Sequence, residues 1–320
     1  MDVSLDGKVA IVTGAGPNIG SGIALALARY GASVACTDID LNAAKAAVAR
    51  IERNGGTGLA LAGDASIESD AVSNINDALG AFGRLDIVIN NAASLHAAHI
   101  LEDTLADFDR AITISLNSNF LFTKYGAIAM IEREIRGCVV SIGSCLGRQG
   151  GAGFIAYATH KGGIANFVRA AAMDLAPYGI RVNSFSPTAP QPDNPELLAQ
   201  WRREGRTELR PRDPVRERPS WWRNTGSYDV RAAIPMGEPS TPTDIGHAVA
   251  WLCSDYARLI TGCDFTADGG ALARHWGYLP DAASAVGPAA PIPIDTTELD
   301  GSAGTTGVTS RSAGRTKDQG

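Results

Sequence analysis

The chain has 320 residues, 45% of them hydrophobic, and a formal net charge of −6. That much apolar material can bury a large core, and the acidic balance argues against a general nucleic-acid binder. No apolar run reaches bilayer-spanning length, Met1 runs almost at once into a first strand pattern, and the five cysteines form no Cys-x-x-Cys pair. These features predict a cytoplasmic protein without membrane contact, its cysteines acting as small core residues in a reducing compartment. The five histidines show no metal-ligand spacing.

The apolar run Lys8 to Val12 reads as a buried parallel strand. It enters the turn Thr13-Gly14-Ala15-Gly16-Pro17-Asn18-Ile19-Gly20, and an Ala- and Leu-rich helix from Ser21 to Tyr30 follows, stopped by Gly31. Strand, glycine turn and helix start together make an anion site. Backbone N–H groups face a pyrophosphate and the helix dipole favours its charge. The next strand, Ser33 to Thr37, ends at Asp38, 18 residues beyond Gly20. A carboxylate there suits the hydroxyls of an adenosine ribose and repels a 2′-phosphate. Capping the helix from Asn42 to Arg53 is the other job for such a residue. Ile39 and Asp40 follow and Pro17 stands in the loop, so no cation is supplied for a phosphate and NAD is preferred to NADP.

Further strands are predicted at Leu85 to Ile89, running into Asn90, and at Cys138 to Ile142, delivering Ser144 to the edge of the sheet where ligands of open α/β sheets bind. A helix from Tyr157 through Leu175, a strand from Ile180 to Phe185 and a late helix around Ala248 to Leu252 complete the alternation. Tyr157 and Lys161 are four residues apart, on one helical face, and Tyr157 lies 13 residues after Ser144. A phenol ordinarily titrates near ~10. A cation fixed beside it favours phenolate and brings it toward the working range.

These runs resemble the short-chain dehydrogenase/reductase family from about Leu5 to Gly270. The matching stretches are the Thr13–Gly20 turn, Asp64-Ala65, Asn90-Asn91-Ala92-Ala93, Ser144, Tyr157 with Lys161, Ile180 to Asn183, Pro187, Thr261-Gly262 and Asp268-Gly269-Gly270. The resemblance implies a Rossmann-like, doubly wound parallel sheet with helices on both faces. It implies an NAD-dependent oxidoreductase that interconverts a secondary alcohol and its ketone. Tyr157 would exchange the proton, Lys161 would lower the Tyr157 pKa and bind the nicotinamide ribose, and Ser144 would hold the substrate oxygen. Gly14, Asn18, Ile19, Gly20, Asp38, Asp64, Ala65, Asn90, Pro187 and Thr188 would join Tyr157 and Lys161 in holding NAD. It further implies a homotetramer or homodimer.

The chain departs from the family pattern at several points. Asn18 and Thr188 stand where glycine is usual, and Ala93 closes the Asn-Asn-Ala-Gly motif. Asn tolerates a left-handed backbone, whereas a β-branched Thr does not, so a local change is expected near Thr188. The fourth catalytic position, usually Asn, falls on Ser115, with Asn117 as the alternative if a bulge shifts the helix. A serine hydroxyl both donates and accepts.

The expected organisation is a catalytic domain over residues 1–278, with a substrate lid at about 189–233, and a disordered tail over 279–320. The lid is rich in arginine and holds Trp201, Trp221 and Trp222. It reads either as a solvated cover or as a source of an arginine clamp for an anionic substrate group. The apolar character of Leu146, Phe154 and Ile155 favours a bulky, mostly apolar alcohol. An epimerase or dehydratase on the same fold and an NAD-binding regulator are the rival readings. The regulator would have lost Tyr157 or Lys161, and both are present.

Overall fold

The computed structural model describes residues 3–188, 190–194 and 234–273. All of these belong to one unit, Met1–Ala285. The lid and the tail inferred from sequence lie outside the described residues, except for residues 190–194 of the lid.

Seven strands form one all-parallel sheet in the order β3-β2-β1-β4-β5-β6-β7. They are β1 (Val9–Thr13), β2 (Ser33–Asp38), β3 (Thr57–Ala62), β4 (Ile87–Asn90), β5 (Cys138–Ile142), β6 (Arg181–Pro187) and β7 (Asp264–Ala267). Parallel neighbours need crossovers, and helices supply most of them: α1 (Ile19–Arg29), α2 (Leu41–Arg53), α3 (Glu68–Phe82), α4 (Leu105–Ile112), α5 (Ser118–Ile131), α6 (Ile155–Leu175) and α7 (Pro242–Cys253). The strand order reverses between β1 and β4, the switch point at which such sheets bind ligands.

The pleat sorts side chains to two cores. Ala10 and Val12 of β1 face one side with Ile23 and Leu27 of α1, Val48 of α2 and Val249 of α7. Val9 and Ile11 face the other with Ile75 of α3, Phe122 and Met130 of α5, and Ile164 and Val168 of α6. Burial on both faces is why the central strands read as continuous apolar runs.

The strands and helices expected from sequence are present, with ends displaced by a few residues. β3, α3, α4, α5 and β7 had no sequence expectation of their own. β3 is a half-exposed edge strand of mixed Gly, Ala and Leu, and β7 has four residues, so neither carries a sharp period. Asp38 is not the cap of α2. Asp40 is, accepting from the Asn42 N–H at 2.9 Å, because it stands directly before the helix.

α1 and α7 touch through glycine. A Cβ added to Gly22 would lie 2.5 Å from the Pro242 Cβ, and one at Gly246 would lie 2.6 Å from the Ala26 Cβ. Replacing Gly22 by Ala therefore overpacks this contact. The expected loss is about 1–3 kcal/mol, despite the better helix propensity of Ala. Urea unfolding measures it, and an unchanged midpoint would mean that the two helices are not packed this closely.

Candidate active site

The glycine turn is held against the end of β4. The Thr13 hydroxyl donates to the Ile89 carbonyl at 3.3 Å and accepts from the Asn91 and Ala92 N–H groups at 3.0 Å each. The Asn91 amide donates back to the carbonyls of Thr13 at 3.2 Å and Gly14 at 2.7 Å. Gly14 has φ +59°, and a Cβ there would sit 2.9 Å from the Ala92 Cα, so this close crossing requires glycine. α1 begins at Ile19 with no side-chain cap, and although its Ser21 N–H donates to the Gly16 carbonyl at 3.0 Å, the Ile19 and Gly20 N–H groups ahead of it suit an anion. A Cβ on Gly16 would be 3.2 Å from Asp38 Oδ2, so the Asp38 carboxylate lies beside the turn. Its other oxygen accepts from the Asp40 N–H at 3.0 Å. An anion cradle next to a carboxylate fits a dinucleotide, whose pyrophosphate and ribose have those two needs.

β5 ends just before Ser144, which caps a short 3-10 turn and accepts from the Leu146 N–H at 3.2 Å. Its side chain also acts on Tyr157 of α6, favouring the phenolate. The Tyr157 ring lies between Phe154 and His160, edge to face with each. One turn on, Lys161 is buried, with Nζ 5.7 Å from the centre of the Tyr157 ring and donating to the Ile142 carbonyl at 2.6 Å. In this structure the net shift of Tyr157 is upward, and Lys161 is not among its causes. Loss of hydration raises the Tyr157 pKa, the Ser144 side chain acts the other way, and the Cys145 charge adds to the rise. Burial brings Lys161 itself down to about 8. In this geometry the ammonium is directed at a backbone carbonyl, so desolvation decides both shifts.

The amino-acid sequence matches the short chain dehydrogenase family model over residues 8–202. The chain belongs to the short-chain dehydrogenase/reductase family. Residues 223–271 match a second model, described as enoyl-(acyl carrier protein) reductase. Among relatives, the chain is 32% identical to D-threitol dehydrogenase of Mycolicibacterium smegmatis, over 84% of this chain and 94% of that enzyme. It is 30% identical to cyclopentanol dehydrogenase of Comamonas sp., over 82% and 96%. An NAD+-bound xylitol dehydrogenase structure is similar with a TM-score of 0.71 and 30% identity, over 83% of this chain and 99% of that one. As a member of this family, the chain is an oxidoreductase with a nicotinamide-binding fold. Among the described residues no helix is long and apolar enough to cross a membrane, and no His, Cys, Asp and Glu cluster could hold a metal.

Against the family pattern, the most altered place is the position usually held by Asn. Thr113–Asn117 form a π-helical turn between α4 and α5. Within it Ser115 is fully buried and Asn117 is exposed, so the bulge does not turn Asn117 inward. The Ser115 hydroxyl accepts from the Ser94 N–H at 3.0 Å. Its carbonyl accepts from the Asn119 amide at 2.8 Å and the Ser118 hydroxyl at 3.1 Å. Asn119 was missed by sequence reading, although a polar residue one turn beyond Ser115 in an apolar helix was a usable signal.

Other expected residues take varied places. Asn90 is buried, and its amide donates to Thr123 Oγ1 at 2.9 Å and Ser141 Oγ at 3.4 Å. Its side chain thus braces the interior, and Asn91 is the residue that reaches the glycine turn. Asn18 has φ −104°, so the expected left-handed backbone is absent. The turn bends there through ψ −117° instead. Ile19 packs on the core, and Ala65 is buried. Asp64 Oδ1 is engaged by the Ser66 N–H and hydroxyl. Pro187 ends β6, paired with Ala267. Thr188 avoids positive φ, and its hydroxyl is buried with no partner among the described residues. The Cys145 thiol is pushed up to about 12 by burial and by the nearby carboxylates of Asp268 and Asp264, which agrees with an unreactive cysteine.

The Lys161 shift predicts a pH dependence. Its folded pKa, about 8, lies below the ordinary 10.5, so the unfolded chain binds more protons between those values. The contribution of Lys161 to stability therefore rises with pH across that window and is least favourable below about pH 8. Between about pH 8 and pH 10 the native protein should gain stability relative to Lys161→Met. Denaturant midpoints across this range measure the difference, and parallel profiles for the two proteins would contradict it.

Proposed function

We propose that this protein is an NAD-dependent dehydrogenase that interconverts a secondary alcohol and its ketone, with Tyr157 as the acid and base. The observation that carries the reading is the gathering of Ser144, Tyr157 and Lys161, with the Ser144 side chain favouring the Tyr157 phenolate and the Lys161 ammonium 5.7 Å from the Tyr157 ring centre, at the strand edge that also holds the glycine turn. NAD, held by the glycine turn with Asp38 on its ribose, supplies the hydride acceptor for alcohol oxidation and, when reduced, the hydride donor.

The residues divide the remaining work. The Ser144 hydroxyl donates to the substrate oxygen and keeps it within reach of Tyr157. The raised Tyr157 pKa keeps the proton on Oη, ready for delivery to a substrate carbonyl as its carbon is reduced. In the oxidation direction the same oxygen accepts the hydroxyl proton. Lys161, freed from the Ile142 carbonyl, would lie against the developing phenolate and favour it electrostatically. Ser115 would serve this set by fixing the loop that leaves β4. Preference for NAD is supported by Asp38 beside Gly16, where a 2′-phosphate would meet a carboxylate.

A mostly apolar substrate is supported by the segment leaving β4, where Leu95, Ile100, Leu101 and Leu105 are exposed. Exposed Phe120 and Ile128 on α5 and Met173 on α6 support assembly as a homodimer or homotetramer. The relatives named for cyclopentanol and D-threitol are dehydrogenases of alcohols, which supports the reaction class.

Reduced-nicotinamide absorbance with NAD or NADP and a panel of secondary alcohols tests the proposal. Tyr157→Phe should lower turnover by about 10²-fold or more while NAD still binds by calorimetry. Unchanged turnover in that variant would refute the acid/base role. Asp38→Asn should cost NAD about tenfold in kcat/KM and improve NADP by a similar factor, the scale of one hydrogen bond to a charged group. No change in the ratio of the two cofactors would remove Asp38 from the ribose.

A further inference from the structure

His160 is a buried titratable residue that the proposed chemistry does not use. It lies between Tyr157 and Lys161 on α6 and is fully buried. Nε2 lies 3.2 Å from the Ser94 carbonyl, so that nitrogen carries the proton and donates. Nδ1 is buried and has no partner among the described residues. A proton there would set a second cation beside Lys161. Burial first, and Lys161 next, hold the ring's pKa down to about 4, so it is neutral in use.

The two ends of this imidazole touch different parts of the site. Its edge meets the Tyr157 ring with centroids 5.0 Å apart at 78°. Its N–H holds Ser94, whose own N–H donates to the Ser115 hydroxyl. The backbone of Ser94 is thus gripped from both sides, by α6 through its carbonyl and by the π-turn through its N–H. The loop that follows is closed by a second histidine, with His96 Nε2 2.7 Å from Asp103 Oδ1. A smaller residue at 160 would leave the Ser94 carbonyl unpaired and one edge of the Tyr157 ring without support.

We propose that His160 is a positioning residue that latches the loop after β4 to α6 and, through the same ring, fixes the orientation of Tyr157. The orientation half rests on the proposed use of Tyr157, whereas the latch stands on its own.

Two variants separate the functions of the ring. His160→Phe keeps an aromatic edge against Tyr157 and removes the donor to Ser94. His160→Gln keeps a donor and removes the ring. In His160→Phe, amides of Ser94 to His99 should exchange with solvent hydrogen about tenfold faster, the scale of one lost buried hydrogen bond. His160→Gln should restore most of that protection. With an alcohol turned over by the native enzyme, kcat should fall about tenfold in His160→Gln, with NAD affinity within about twofold. Native-like exchange in His160→Phe would overturn the latch. Native kcat in His160→Gln would overturn the orientation of Tyr157.

If no alcohol is turned over by the native protein, the proposed function fails separately. Phenolate absorbance of Tyr157, taken as the difference from Tyr157→Phe, then reads the ring contact. An unchanged titration in His160→Gln would overturn the contact, and a shifted one would support it. If His160→Phe does not fold, His160→Leu removes the same donor with a smaller side chain and gives the same exchange comparison.

Discussion

The site depends on the Thr13 hydroxyl. Three hydrogen bonds from this one side chain join the end of β1 to the end of β4 at the point where the sheet changes direction. Buried backbone groups need partners, and the β1–β4 register ends at Val12 opposite Ile89. Thr13 and the Asn91 amide supply partners beyond that point, and the absent side chain of Gly14 lets the two backbones approach. The glycine turn, the start of α1 and the loop carrying Ser94 are all placed by this junction. The glycine turn and the loop carrying Ser94 therefore share one anchor.

On the other side of the switch point, burial governs the chemistry. Lys161 and His160 are adjacent in sequence and both almost fully buried. Water is removed from each, and each loses some of its tendency to carry a proton. The outcomes differ because Lys161 starts far above neutrality and His160 starts just below it. One remains largely a cation at neutral pH and the other becomes a neutral donor. Tyr157 is shifted the opposite way by the same loss of water, because its charged form is the anion.

Much of this was legible in the residues. The apolar runs of β1, β4 and β5 are continuous because helices cover both faces, and such runs stand out. β3 and β7 lie at the two edges of the sheet, with half-exposed residues and no strong period, and they did not stand out. At the site, Ser144, Tyr157 and Lys161 were readable from spacing, because a strand end and one helical turn fix where such residues fall. Alignment with the family pattern pointed to Ser115, but spacing alone left Asn117 open as the alternative. The choice depends on a π-turn, in which one extra residue per turn changes which side chain faces inward.

The sequence by itself determined the alternating strand and helix pattern, the glycine turn ahead of α1, the acid at the end of β2 and the Tyr–Lys pair on one helical face. These follow from local periodicity and from residues whose conformational or chemical roles are few. Only the tertiary structure decided that Asn91 rather than Asn90 reaches the glycine turn, that Asp40 rather than Asp38 caps α2, and that Lys161 is directed at the Ile142 carbonyl. It also decided that His160 joins Tyr157 to Ser94, a residue 66 positions away. Such contacts depend on where separate elements come to rest against one another. Sequence spacing carries no measure of that distance, nor of the water excluded when the elements meet.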